Sequence, residues 1–302
     1  MKKSSLTIIA FAFVLFSACI VKAELNELSN AELRVLFEPS LRLAAQELIE
    51  IYPDAKAEIE KTFGWELEIR PWVFLIKDRT HFGHMENPLI IAFADPDRDL
   101  IVIDHSKLAQ KPLTLKSTLK HELCHLLLHH HINNTNLPRW LDEGVCQWSS
   151  DWIWDIAMDQ RQSYLNRAAL KQMLFSLKSL TYSFPAGKEG MGLAYEQSKD
   201  FVAYIISRFG KEGILNLLNR MKRGEDTDRA FVNSLNMPLE ELEGKWHDSL
   251  KKRVSWFMLI SYNLYEILFS LSAIVCIYGA IRIMIKKRSL MDEDVDDHIL
   301  SP

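Results

Sequence analysis

Cysteine is scarce in this sequence, with four in 302 residues. Cys19 falls in an apolar run near the N-terminus and Cys276 in another near the C-terminus, which leaves Cys124 and Cys146 for everything between. That excludes a fold held together by a disulfide framework. The two remaining residues leave two readings open, a single bridge in an oxidising compartment or a pair of buried thiols. A basic stripe is also missing. The net charge is −4 and lysines and arginines are not gathered on one segment, so nucleic acid is not an expected partner. Internal repeats and low-complexity linkers are absent too, and a solenoid built from repeated units is thereby excluded.

The two ends of the chain are unlike its middle. Residues 1–23 open with two lysines, Lys2 and Lys3, followed by an apolar run from Leu6 to Val21 and a small-residue exit at Ala23, the layout of a secretory signal. Cys19, after Phe16-Ser17-Ala18, makes a poor lipoprotein box. Residues 257–281 hold one charge, Glu266, and reach the roughly 20 residues needed to span a bilayer. Trp256, Tyr262 and Tyr265 stand at one boundary, and Arg282, Lys286, Lys287 and Arg288 follow the other. Aromatic residues favour the interface, and the basic cluster predicts a cytoplasmic C-terminus. Residues 282–302, acidic at their end, read as a short cytoplasmic tail that does not fold alone. The expected organisation is a signal (1–23), an extracytoplasmic domain (24–254), one transmembrane helix and the tail. This places the protein in the cell membrane, single-pass, with its domain on the periplasmic side.

Within 24–254 the pattern predicts strands first and helices after, an α+β fold. Residues 29–63 read as helical with a break at Pro39 and an end at Gly64. Residues 66–77 read as a strand, and the runs on either side of Asp95-Pro96-Asp97 as a hairpin. From Thr114 onward the chain reads as mainly helical, and one helix contains "HELCHLLLHH".

His121 and His125 stand four apart, so on a helix both rings share one face. Glu122 projects about 100° away, within reach of a water held by an ion between the rings. Residue types and spacing therefore fit a catalytic zinc with a carboxylate base. Two third ligands compete. His131 fits a spacing that needs glycine at position 128 for a sharp turn, but Leu128 stands there, and His129, His130 and His131 then read as polar residues at a helix end. Glu143, in "LPRWLDEG" on a second helix, supplies a carboxylate 18 residues after His125 and leaves a fourth position open.

The string "HELCHLLLH…LPRWLDEG" resembles the gluzincin zinc metallopeptidases, and most closely the bacterial peptidase MA-like domains. The similarity extends from about residue 40 to residue 250. The resemblance implies a thermolysin-like architecture around the HExxH helix and one zinc per chain, held by His121, His125 and Glu143. It also implies Glu122 as general base and a peptide or protein substrate. Tyr195, in "GLAYEQS", stands where such a fold offers a phenol to an oxyanion, although a tyrosine on an amphipathic helix is also an ordinary core residue. Gln147 departs from the pattern, since an acidic residue that orients a zinc histidine is usual there. "GHMEN" (83–87) is similar to an amine-binding motif of aminopeptidases, and a simple loop explains it equally well. The expected function is a membrane-anchored zinc metallopeptidase. The alternatives are a zinc-containing peptide-binding scaffold without catalysis and a membrane signalling component in which Glu266 contacts a partner.

Overall fold

The computed structural model describes residues 25–77, 91–108, 114–132, 137–150, 163–253, 260 and 263–299. The signal segment, "GHMEN", Asn133-Asn134, Trp256 and Tyr262 lie outside the described residues. The chain divides into two compact units at Leu250 and Lys251.

The first unit begins with a hairpin where the periodicity predicts helix. Strands β1 (Asn26–Ser29) and β2 (Arg34–Phe37) pair antiparallel. Asn30 sets the turn, its side-chain oxygen accepting from the backbone N–H groups of Glu32 and Leu33 at 2.9 and 2.8 Å. Four residues of β2 are too few to separate a period of two from one of 3.6. Val35 and Phe37 are buried while Arg34 and Leu36 are only partly so, and that alternation is the strand signature. Helix α1 (Arg42–Phe63) starts after Pro39, packs Ala45, Leu48, Tyr52, Ala55 and Ile59 inward, and ends at Gly64. Gly64 takes φ 70°, the left-handed conformation that closes a helix, and donates its N–H to Glu60 O.

The helix crosses over to β3 (Trp72–Ile76), which pairs parallel to β2. The rest of the predicted strand, residues 66–71, is irregular. Strands β4 (Ala92–Asp95) and β5 (Leu100–Asp104) form the predicted hairpin, turning through Pro96–Arg98. Strand β5 lies parallel to β3, giving a mixed sheet in the order β1-β2-β3-β5-β4. Small mixed sheet first and helices after, the unit has the expected α+β character.

Helix α2 (Leu115–His131) packs on α1 and on the β4 end of the sheet. Thr114 caps it reciprocally with Ser117, which is worth about 1 kcal/mol. Helix α3 (Arg139–Ser149) is buried along nearly its whole length against α5 (Lys188–Lys222). The two approach so closely that a Cβ on Gly144 would lie 2.4 Å from the Ser198 carbonyl oxygen. Trp140, Phe201 and Trp246 stack edge to face at 5.3 Å centroid spacings and join α3, α5 and α7 (Leu239–Arg253). Helix α4 (Tyr164–Lys171) is tied to α5 by Glu196, whose carboxylate accepts from Ser163 Oγ and the N–H groups of Tyr164 and Leu165. Helix α6 (Thr227–Leu235) completes the unit.

In the second unit, α8 (Leu264–Ile299) contains a stretch, Leu264–Met284, long and apolar enough to cross a membrane, with none of it buried. The first residues of the predicted span, 257–259, lie outside the described residues. The helix continues to Ile299 through the tail that the composition reads as unable to fold alone. Propagating an existing helix avoids the cost of nucleating one, so adjacency outweighs composition here.

Candidate active site

His121, Glu122 and His125 all fall on α2, in its second and third turns, where the chain is pressed against the sheet on one side and α3 on the other. Glu143 lies in the first turns of α3. The two helices bring three ligand atoms to one point. His121 Nε2 and His125 Nε2 are 3.3 Å apart, and each lies 3.7 or 3.6 Å from Glu143 Oε2. A tetrahedral ion with bonds of about 2.0–2.1 Å separates its ligand atoms by about 3.3 Å. The triangle therefore has the size of a zinc site. Glu143 Oε2 is buried and has no hydrogen-bond partner among the described residues, a costly state for a carboxylate unless a cation completes it. The donor set and the orphaned oxygen both fit a zinc ion, and the same three residues form a group able to hold a metal.

His131 is elsewhere. Its Nε2 meets the Glu66 carbonyl oxygen at 2.9 Å and its ring lies 5.0 Å from that of Trp65. His130 meets Asp99 at 2.7 Å. The three terminal histidines of α2 are thus side-chain tethers as well as polar residues at a helix end.

The orienting group is one the sequence reading passes over. His125 Nδ1 donates to Asp142 Oδ1 at 2.8 Å, which leaves Nε2 turned to the ligand triangle. The other oxygen of Asp142 meets His129 Nε2 at 2.9 Å. His121 Nδ1 lies 3.5 Å from Ser150 Oγ. Gln147 takes no part in holding a histidine; its amide donates to the Tyr195 carbonyl at 3.2 Å. The available signal was position. Asp142 directly precedes Glu143, so it lies one residue around α3 from the ligand, and His129 follows His125 by one helical turn on the same face.

Tyr195, on α5, does reach the cleft, and its hydroxyl donates to Glu143 Oε1 at 3.2 Å. Its ring stands edge-on to Phe184 at 5.1 Å. Cys124 and Cys146 are free and buried. Burial and the neighbouring Cys124 push the Cys146 thiol well above its ordinary range, so it stays protonated.

The electrostatics separate the two glutamates. Burial pushes the Glu122 carboxyl up, with Glu143 and Asp142 adding to it while His121 and His125 pull the other way. Burial acts upward on Glu143 too, but the two histidines facing it outweigh this and hold it below the usual carboxylate range. Asp142 is likewise lowered despite its burial, because His125 and His129 both bond to it. Burial alone would lower His125; the charge and hydrogen bond of Asp142 overcome it and raise the imidazole well above its ordinary value. Burial and the Glu143 charge raise the Tyr195 phenol. All these groups open onto one cleft of about 390 Å³, floored by His121, Glu122 and His125 and walled by β4 on one side.

The model of the peptidase MA superfamily matches residues 90–252, just over half of the chain. The chain belongs to the peptidase MA superfamily. The matched region of this superfamily member contains both histidines, Glu122, Glu143 and Tyr195. Among solved structures, it is similar to an aminopeptidase A from Legionella pneumophila, crystallised with aspartic acid, at 15% identity and a TM-score of 0.47 over 74% of this chain and 28% of that one. It is similar to yeast LTA4 hydrolase in complex with bestatin at 13% identity and a TM-score of 0.44, covering 79% and 39% of the two chains. An M1 zinc metallopeptidase from Deinococcus radiodurans matches at 12% identity and a TM-score of 0.42, over 76% of this chain and 51% of that one. The chain spans about half or less of each of these structures. No curated protein matches the sequence.

Proposed function

We propose that the protein is a membrane-anchored zinc metallopeptidase that hydrolyses peptide bonds, with thermolysin-like architecture around α2. His121, His125 and Glu143 hold one zinc, and Glu122 is the general base. The observation that carries this reading is the triangle of ligand atoms, 3.3–3.7 Å on each edge, closing on a buried Glu143 oxygen that has no other partner. When bound, zinc supplies Lewis acidity and lowers the pKa of water to around 7.

The protein's own groups do the rest. Asp142 fixes the His125 ring so that Nε2 faces inward. Glu122 carries no metal; it takes a proton from the attacking water at its carboxylate and returns it to the leaving nitrogen. Burial pushes its carboxyl above the ordinary carboxylate range, the direction that strengthens a base. Tyr195 keeps its proton, because burial and Glu143 hold the phenol high. It is therefore a lasting hydroxyl donor beside the place where negative charge develops on the substrate oxygen.

The anchor is α8. The apolar stretch Leu264–Met284 spans the bilayer, and the basic residues from Arg282 to Arg288 hold the C-terminus in the cytoplasm. With residues 1–23 as a secretory signal, residues 24–254 lie on the periplasmic side and 282–302 form the tail. The test is peptide and casein hydrolysis by the purified protein with and without a chelator. Loss of hydrolysis on chelation and its return with zinc is the expected result. Hydrolysis that persists in the metal-free protein overturns the reading.

A further inference from the structure

Arg139 is the first residue of α3, one turn before Glu143. Its backbone N–H is held by the Thr181 carbonyl at 2.8 Å, and its guanidinium carbon lies over the Phe184 ring, 4.9 Å from the centroid. The side chain is 40% exposed, and Nη2 stands 3.8 Å from Glu143 Oε1, outside hydrogen-bond range. It also donates a hydrogen bond to the Tyr195 hydroxyl. A guanidinium carries five N–H donors, so contact with one ring and one hydroxyl leaves others available to a carboxylate. Among the described residues that line the cleft, Arg139 is the only lysine or arginine, while Glu122, Asp142 and Glu143 are all acidic. Asp142 is already bonded to His125 and His129 and Glu143 faces the ligand triangle, so a peptide carboxylate entering this cleft meets Arg139 as a planar cation at its wall.

We infer that Arg139 makes the cleft selective for peptides carrying a carboxylate beside the scissile bond. This rests on the peptidase reading above. The carboxylate is the side chain of an acidic residue or the peptide's own C-terminus, and both offer the same two oxygens to a forked donor. Arg139 is a specificity residue in this account, with no part in moving the proton.

The experiment uses the full chain in detergent, loaded with zinc, and three peptides identical at the scissile bond. One carries an adjacent acidic side chain and an amidated end, one is neutral with an adjacent free C-terminus, and one is neutral and amidated. One of the first two is expected to exceed the third in kcat/KM by about tenfold or more, the ratio that one charge-assisted pair supplies. Which of the two does so identifies the source of the carboxylate. Arg139→Gln should erase the ratio, and Arg139→Glu should reverse it in favour of a lysine-bearing peptide. A purely supporting role for Arg139 beside Glu143 would lower all three substrates equally and leave the ratio intact, and that overturns the inference. So does equal cleavage of the three by the unaltered protein, which leaves the peptidase reading standing. Binding of the same peptides to the Glu122→Gln chain, followed by calorimetry, separates the other case. Carboxylate-dependent binding that Arg139→Gln abolishes, with no cleavage of any peptide by the unaltered protein, keeps the Arg139 site and sinks the peptidase reading.

Discussion

Glu122 and Glu143 sit in the same cleft and are both buried, yet their surroundings push them in opposite directions. That divergence is what the proposed roles require, a base at Glu122 and a metal ligand at Glu143. Glu122→Gln keeps the side-chain volume and removes only the proton acceptor, so zinc content and melting temperature should hold while peptide hydrolysis falls about 10²–10⁴-fold. Metal analysis and kinetics on the same preparation check this, and loss of zinc in that variant would reassign Glu122 as a ligand. Asp142→Ala removes the bond that orients His125 and should cost about 10–100-fold in zinc affinity or activity. His131→Ala, acting on a carbonyl far from the triangle, should leave zinc content unchanged. Zinc lost from the His131 variant and retained after Glu143→Ala would overturn the ligand set.

The same residues set a pH dependence. The His125 pKa is raised in the folded, metal-free chain, so its contribution is complete below its unfolded value of about 6.5. It is lost as pH rises through the folded value. Zinc needs the imidazole without that proton, so metal affinity should rise over the same range. Melting scans across neutral and mildly alkaline pH should therefore diverge, the chelated protein losing stability as the zinc increment grows. Parallel slopes in the two series would remove His125 from the metal. His121, His125 and Glu122 were legible from spacing alone, because a four-residue interval fixes a helix face. Asp142 was not, since adjacency to Glu143 says nothing about which way its side chain turns until α2 and α3 are docked.

At the scale of elements, the decisive contact is α3 against α5. Gly144 follows the ligand Glu143, and a methyl group there would meet the Ser198 carbonyl oxygen at 2.4 Å and Val202 Cγ2 at 2.7 Å. Backbone on one side cannot yield as a flexible side chain does. Gly144→Ala should destabilise the protein by about 1–3 kcal/mol and loosen zinc by pushing Glu143 away from α2. Denaturant titration and metal affinity report the two effects; wild-type values for both would mean the helices are free to separate. The helices and the β4–β5 hairpin were readable because each carries several turns or a strong Asp-Pro-Asp punctuation. The β1–β2 hairpin was not. Its strands have four residues each, and its turn depends on the Asn30 side chain, which equally suits a helix start.

For the molecule as a whole, the composition of its ends proposes one orientation in the membrane. A reporter fused after Pro302 should be active in the cytoplasm, and lysines within 24–254 should label from outside intact cells. A C-terminal reporter active on the periplasmic side would reverse the topology and relocate the proposed enzyme. Removing residues 257–302 should release a soluble chain that still carries about one zinc, since the whole ligand set lies in the first unit.

Helix α5 is interrupted at Gly210, where φ is 71° and ψ 173°, a combination that glycine alone adopts without strain. Before this elbow the helix lies along α3 and presents Tyr195 to Glu143. Beyond it, Asn219 accepts from the Trp65 indole N–H at 3.0 Å, and Trp65 rests on His131 at the far end of α2. The near arm of this bent helix thus reaches Glu143 on α3, and the far arm reaches the end of α2 through Trp65. A single glycine makes the bend between those two contacts. Any side chain at position 210 would be strained at that φ, and relief of the strain would shift the Tyr195 contact on one arm against the Asn219 contact on the other.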